Sequence, residues 1–156
     1  MRHRQTLLLL AVVVLCHWVG SFPVEAQMGS RRSVIIPPFE NALGEITPFG
    51  RGVAQQLERL VGQTGAYEAV AWNDVPGSDG IDEATCLIGR QLARRHGLES
   101  VICGTVQELE GNEYRVQITV VAVDDGTEKT MRPIRASSPL DAAQSILIQL
   151  DIEEQG

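Results

Sequence analysis

Lysine is almost missing from this sequence: Lys129 is the single one in 156 residues, and 13 Lys+Arg face 20 Asp+Glu. Affinity for a nucleic-acid backbone comes from neutralising phosphates, so an acidic chain of this kind has little to offer one. No nucleic-acid partner is expected. Histidine is scarce too, with His3 and His17 near the amino terminus and His96 alone in the rest. That count leaves nothing for a histidine-rich zinc site. A Ser-His-Asp arrangement would have to use His96, and no nucleophile-elbow pattern surrounds any serine. The one long apolar run, Leu7 to Leu15, falls well short of the roughly 20 residues that a spanning helix needs.

That run reads instead as part of a secretory signal. Arg2 and Arg4 precede it, and Val24-Glu25-Ala26 places small residues where a signal peptidase cuts, so the mature chain is expected to begin at Gln27. Cys16 raises the question of lipidation, but the residue before a lipidated cysteine should be small and here it is Leu15. Membrane association is then expected only through an uncleaved or lipidated amino terminus. Removing Arg2, Arg4 and Glu25 from the 13 basic and 20 acidic residues leaves 11 and 19, a net charge of −8. Residues 27–156 suffice for one domain, burying roughly two-thirds of its unfolded surface. Arg31-Arg32 and Arg94-Arg95 are isolated pairs that read as solvated surface.

The most legible stretch runs from Glu99 to Gly126. A buried-looking apolar run leads to a Gly111-Asn112 turn and then to a long alternating segment, which is a β-hairpin. Period-2 geometry puts Tyr114, Val116, Ile118, Val120 and Ala122 on one face of its second strand, and Arg115, Gln117 and Thr119 on the other. Upstream, Arg32 to Phe39 is a short strand ended by two prolines, followed by a loop over residues 40–47. Thr47 suits a helix N-cap before Pro48, with Phe49, Val53, Leu57, Leu60 and Val61 recurring until Gly62 and Gly65. Tyr67 to Trp72 makes a second strand and Asn73 to Gly80 a polar loop. A second helix is expected from Ile81 to His96, with a stripe of Ile81, Ala84, Ile88 and Leu92; Cys86 and Gly89 lie off that stripe. After the hairpin come a fifth strand, Thr127 to about Arg135, with Pro133 arguing for an edge or bulge, and a third helix opened by Ser138-Pro-Leu-Asp141. Leu140, Ala143, Leu147 and Leu150 give that helix its packing face. The order β-α-β-α-β-β-β-α predicts an α/β fold: a mixed sheet of about five strands with three helices, in two or three layers.

Reactive constellations are few. His96, in the last turn of a helix before Gly97, reads as a donor or cation at the negative end of the dipole. Gly50-Arg51-Gly52 lacks the spacing and the Lys-Ser/Thr of a phosphate loop and reads as close packing of the first helix on the sheet. Asp74, Asp79, Asp82 and Glu83 lack the alternating acids of a calcium loop and read as capping and solvation. Cys86 and Cys103 read as two free thiols, one off the helix stripe and one in a central strand, although an oxidising compartment leaves a disulfide open. No metal and no cofactor are expected. The candidate interface comprises Trp72, Asn73, Asp74 and Pro133, with a core aromatic as the competing reading of Trp72.

Several stretches together resemble one family. Val34-Ile-Ile-Pro-Pro-Phe-Glu-Asn41, Gly52-Val-Ala-Gln-Gln-Leu57, Ile88 to Gly97 with Val101-Ile-Cys-Gly-Thr-Val106, Arg115 to Asp124 with Gly126, and Ser138-Pro-Leu-Asp141 follow the order of the TolB amino-terminal-like domain family. Similar domains occur in the lipoprotein activator of a penicillin-binding protein and in flagellar and curli-secretion envelope proteins. The chain departs from TolB itself in having no β-propeller after the domain. What the resemblance implies is a periplasmic or secreted module without enzyme activity that binds another cell-envelope protein or complex. The alternative is a small-ligand-binding domain with a pocket near Asn41, Asn73 and Thr105, at the carboxyl ends of the parallel strands.

Overall fold

The computed structural model describes residues 31–79 and 86–154. The expected signal over residues 1–26, Cys16, the expected new terminus at Gln27 and the expected helix start at Ile81 lie outside the described residues. In chain order the elements are β1 (Arg32–Ile35), α1 (Pro48–Thr64), β2 (Tyr67–Val70), a 3-10 turn (Trp72–Asp74), α2 (Cys86–Arg95), β3 (Ser100–Glu108), β4 (Tyr114–Ala122), β5 (Glu128–Thr130), β6 (Ile134–Ala136) and α3 (Pro139–Glu154). They build the expected mixed α/β sheet, in the order β2-β1-β3-β4-β5, with β6 also beside β4. β1 is parallel to both β2 and β3, and the remaining pairs are antiparallel.

Local chemistry explains why α1 forms where it does. The Thr47 hydroxyl accepts from the Gly50 N–H at 2.9 Å, Pro48 needs no partner for a missing N–H, and Gly65 closes the helix at φ 77°. Val53, Ala54, Leu57 and Val61 are buried, one stripe at helical spacing. Together with α3 this stripe covers one face of the sheet, against Val34, Ile36, Ile102, Val106, Val116 and Ile118. The second face carries Ile35, Val101, Cys103 and Val121 under α2 and Trp72. Alternation along β1 and β3 thus feeds two cores. Phe39, Ile36, Leu57, Ile102 and Ile146 lose essentially all exposure, each contributing about 1.5–3 kcal/mol by leaving water.

Four expectations need correction. The single fifth strand, Thr127 to Arg135, is split into β5 and β6, both on β4. Pro133 has no N–H to give; the last bond before the break runs from the Met131 N–H to the Ile118 carbonyl, 2.9 Å, and the Gln117 amide caps the Met131 carbonyl. On α2 Leu92 is buried as expected, but the face toward the sheet is shifted from Ile88, which is half-buried, onto Gly89 and Ala93. A Cβ at Gly89 would lie 2.5 Å from Pro37 Cγ and 3.2 Å from Val101 Cγ1, so the helix comes in on its small residues. That approach overturns the reading of two free thiols. Cys86, one turn before Gly89, is carried over β3, and Cys86 and Cys103 form a disulfide with Cα atoms 5.3 Å apart. Finally, α3 buries Ala142, Ala143, Ile146 and Leu150, whereas Leu140 is exposed. Its start lies close on α1, where a Cβ at Gly52 would be 3.0 Å from Pro139 Cγ, and small residues face that contact.

Candidate functional site

With β1 between β2 and β3, and with α1 and α2 on opposite faces, the connections diverge between β1 and β3. Open α/β sheets carry their crevice at the carboxyl ends of the strands flanking such a point. Here the chain leaves β1 at Pro37-Pro38 and rejoins β3 at Glu40, whose N–H donates to the Gly104 carbonyl (3.2 Å) while its carbonyl accepts from the Val106 N–H (2.8 Å). The Phe39 ring lies on Gly104, where an added Cβ would come within 2.3 Å of Phe39 Cδ2. Only glycine lets strand and ring approach so closely.

Three cavities adjoin this junction, one of them a hollow of about 470 Å³ lined by Ala42, Thr105, Val106, Gln107, Arg115 and Gln117. On the α2 side is a cleft of about 210 Å³ with largely apolar walls, into which a few polar side chains reach; it is lined by Pro38, Glu40, Arg90, Thr105, Gln117, Thr119 and the two disulfide cysteines, among others. Arg90 bridges it, pairing with Glu128 at 2.6 Å and donating from Nε to Cys86 Sγ at 3.4 Å. Glu40 Oε2 is buried there without a hydrogen-bond partner, and burial pushes its carboxyl pKa above the ordinary value. On the α1 side is a groove of about 460 Å³ with a mixed lining: Leu43, Phe49, Val106 and Tyr114 are apolar or aromatic, and Asn41, Thr47, Gln107 and Glu108 are polar. Phe49 and Tyr114 are stacked, with ring centroids 3.8 Å apart and planes at 15°. Leu43 is 82% exposed at its mouth. Asn41 holds that loop: Oδ1 accepts from the N–H groups of Leu43 (2.9 Å) and Glu45 (3.0 Å), and Nδ2 donates to Glu45 Oε2 (3.0 Å).

The residues proposed as an interface from sequence are not brought together. Trp72 is 6% exposed and packs among Ile35, Val75, Leu92 and Val101, because the 3-10 turn rolls its ring beneath α2; it is a core aromatic and offers no anchor. Asn73 and Asp74 are exposed at the end of β2, and Pro133 is exposed on the opposite edge of the sheet. Asn41 and Thr105 sit in the groove and the cleft, while Asn73 lines a separate small hollow with Glu58. The Glu58 carboxyl is raised by burial, opposed by the Trp72 N–H at 3.4 Å. Gly50 packs closely as expected, but against the Phe39 carbonyl, and Gly52 packs against α3. His96 Nε2 lies 3.2 Å from the Pro76 carbonyl. Of the four acids considered for calcium, Asp82 and Glu83 lie outside the described residues, among which no cluster of His, Cys, Asp and Glu could hold a metal ion. Among those residues, too, no helix is long and apolar enough to cross a membrane. The Phe49–Tyr114 stack and Leu43 went unread in the sequence. A leucine followed by glycine between Asn41 and Glu45 in that loop was the available signal.

No family model and no curated protein matches the chain. Solved structures do. TolB from Acinetobacter baumannii superposes with a TM-score of 0.52 at 13% identity, over 78% of this chain and 27% of that one. Lipoprotein GNA1162 from Neisseria meningitidis gives 0.51 at 14% identity, over 79% and 96%. The PelC dodecamer from Paraburkholderia phytofirmans gives 0.50 at 15%, over 77% and 88%. The chain thus spans about a quarter of the TolB structure and most of the other two. At these identities the likeness establishes the fold, that of a TolB amino-terminal-like domain.

Proposed function

We propose that this chain is a non-enzymatic protein-interaction module of the cell envelope, periplasmic or secreted after cleavage near Ala26, with residues 27–156 as its single domain. The observation that carries the reading is the aromatic-floored groove with a polar rim at the carboxyl ends of β1 and β3. A leucine held 82% exposed beside a stacked aromatic pair costs solvation unless another surface covers it. Groove lining of this kind supplies anchors rather than acid–base pairs. The fold is shared with a lipoprotein and with a protein that forms a dodecamer, company in keeping with this reading.

The test is a photo-crosslinking residue placed at Leu43 in the native host, with exposed Gln63 at the far end of α1 as control. One defined envelope protein captured from position 43 and not from 63 is the expected result. No adduct, or the same adducts from both positions, refutes the module reading. A second reading, small-ligand binding, is favoured by the unpartnered Glu40 Oε2 in the cleft on the α2 side, where a ligand N–H or O–H would complete its shell. Loss of a co-purifying small molecule on Glu40→Gln substitution would separate it from the first.

A further inference from the structure

Resting on the interaction reading, the geometry points to the chemistry of the partner: we propose that the groove takes a basic, apolar protein segment, one large hydrophobic side chain flanked by Lys or Arg. Its floor is apolar, formed by Phe49, Tyr114 and Val106 with Leu43 at the mouth. Its rim is acidic. Glu108 lines it directly, Glu45 is fixed beside it through Asn41, and Glu110 and Glu113 are exposed at the adjoining hairpin turn. No Lys or Arg is among the lining residues. Arg115 follows Tyr114 on β4 and projects from the opposite face of the strand, into an adjoining hollow that shares Ala42, Val106 and Gln107 with the groove; it is the nearest cation, set against four carboxylates. A hydrophobic side chain that enters between Leu43 and the stacked rings brings its neighbours to these carboxylates, which cationic residues complement and acidic ones do not.

The other occupants fit less well. A second copy docked symmetrically would set its own Glu108 against this one, in a chain that already carries seven more acidic than basic residues. The chain's own amino-terminal stretch enters at Arg32, at the far end of the strands.

The experiment pans a random peptide library on the purified, disulfide-bonded chain, beside a Glu45→Lys/Glu108→Lys variant and a Leu43→Asp variant whose folding is checked by circular dichroism. Wild type is expected to enrich sequences with an aromatic or aliphatic residue next to Lys or Arg, the charge-reversed variant to enrich acidic flanks, and Leu43→Asp to enrich neither. Affinity of a selected peptide should fall on the order of tenfold on the double charge reversal and weaken with added salt. Enrichment of neutral or acidic flanks by wild type, unchanged selection by the reversed variant, or no enrichment over bare support overturns the inference. So does a dimer in sedimentation that Leu43→Asp abolishes, since the occupant would then be a second copy. A specific crosslink from position 43 combined with neutral peptides leaves the interaction reading standing and sinks the charge inference alone. Absence of the crosslink refutes the reading itself.

Discussion

Replacing both Cys86 and Cys103 by Ala removes the covalent clip between α2 and β3, and its cost follows from the size of the loop it closes. The sequence separation is 17. Chain-entropy bookkeeping for a loop of that length gives about 3 kcal/mol of stabilisation at 25 °C, lost when the unfolded chain is freed. Loss of packed sulfur at the 7%-exposed Cys103 adds to this, in the direction of further destabilisation. For a domain of this size, about 3 kcal/mol corresponds to a fall in Tm of roughly 10 °C. Urea unfolding followed by circular dichroism measures it, on the oxidised chain, the same chain with a dithiol, and the double variant. The reduced chain and the variant should both have a lowered midpoint with a larger m, because the uncrosslinked unfolded state exposes more surface, and the variant's should be the lower because it also loses the packed sulfur. An oxidised chain whose unfolding free energy matches that of the other two within about 1 kcal/mol would refute the reasoning. So would full alkylation of both cysteines in the folded chain without prior reduction.

Two further outcomes follow from the junction of β1 and β3. Gly104→Ala drives a Cβ to 2.3 Å from the Phe39 ring, which is held between strand and helix; a loss of about 1–3 kcal/mol in unfolding free energy is expected, and a loss near zero would show the ring free to move. Burial raises the Glu40 pKa, so its ionised form opposes folding. The associated stability is fully present below the unfolded-state value and is lost as pH rises through the folded-state value. Glu40→Gln should therefore unfold at a higher denaturant midpoint than wild type at neutral pH and at an equal one in acid, as a pair of unfolding curves will show.

How much was legible depended on whether local chemistry or tertiary contact decided each element. Thr47 with Pro48, Gly111-Asn112 and the alternation from Tyr114 act within a few residues, and the corresponding helix start, turn and strand are where the sequence places them. The faces of α2 and α3 were misread because hydrophobicity ranks Ile88 and Leu140 above Gly89 and Ala142, whereas close helix contact is decided by which side chains are small enough to permit it. The disulfide follows from the same error: once Gly89 faces the sheet, Cys86 must lie over Cys103, and no spacing in the sequence says so. The site was hidden for a different reason. Phe49 and Tyr114 are 65 positions apart and meet only because β3 returns antiparallel to β4 beside the start of α1. Leu43 gains meaning only from that meeting, since a lone exposed leucine in a loop is ordinary, but one fixed by Asn41 at the mouth of an aromatic groove is a feature another surface can read.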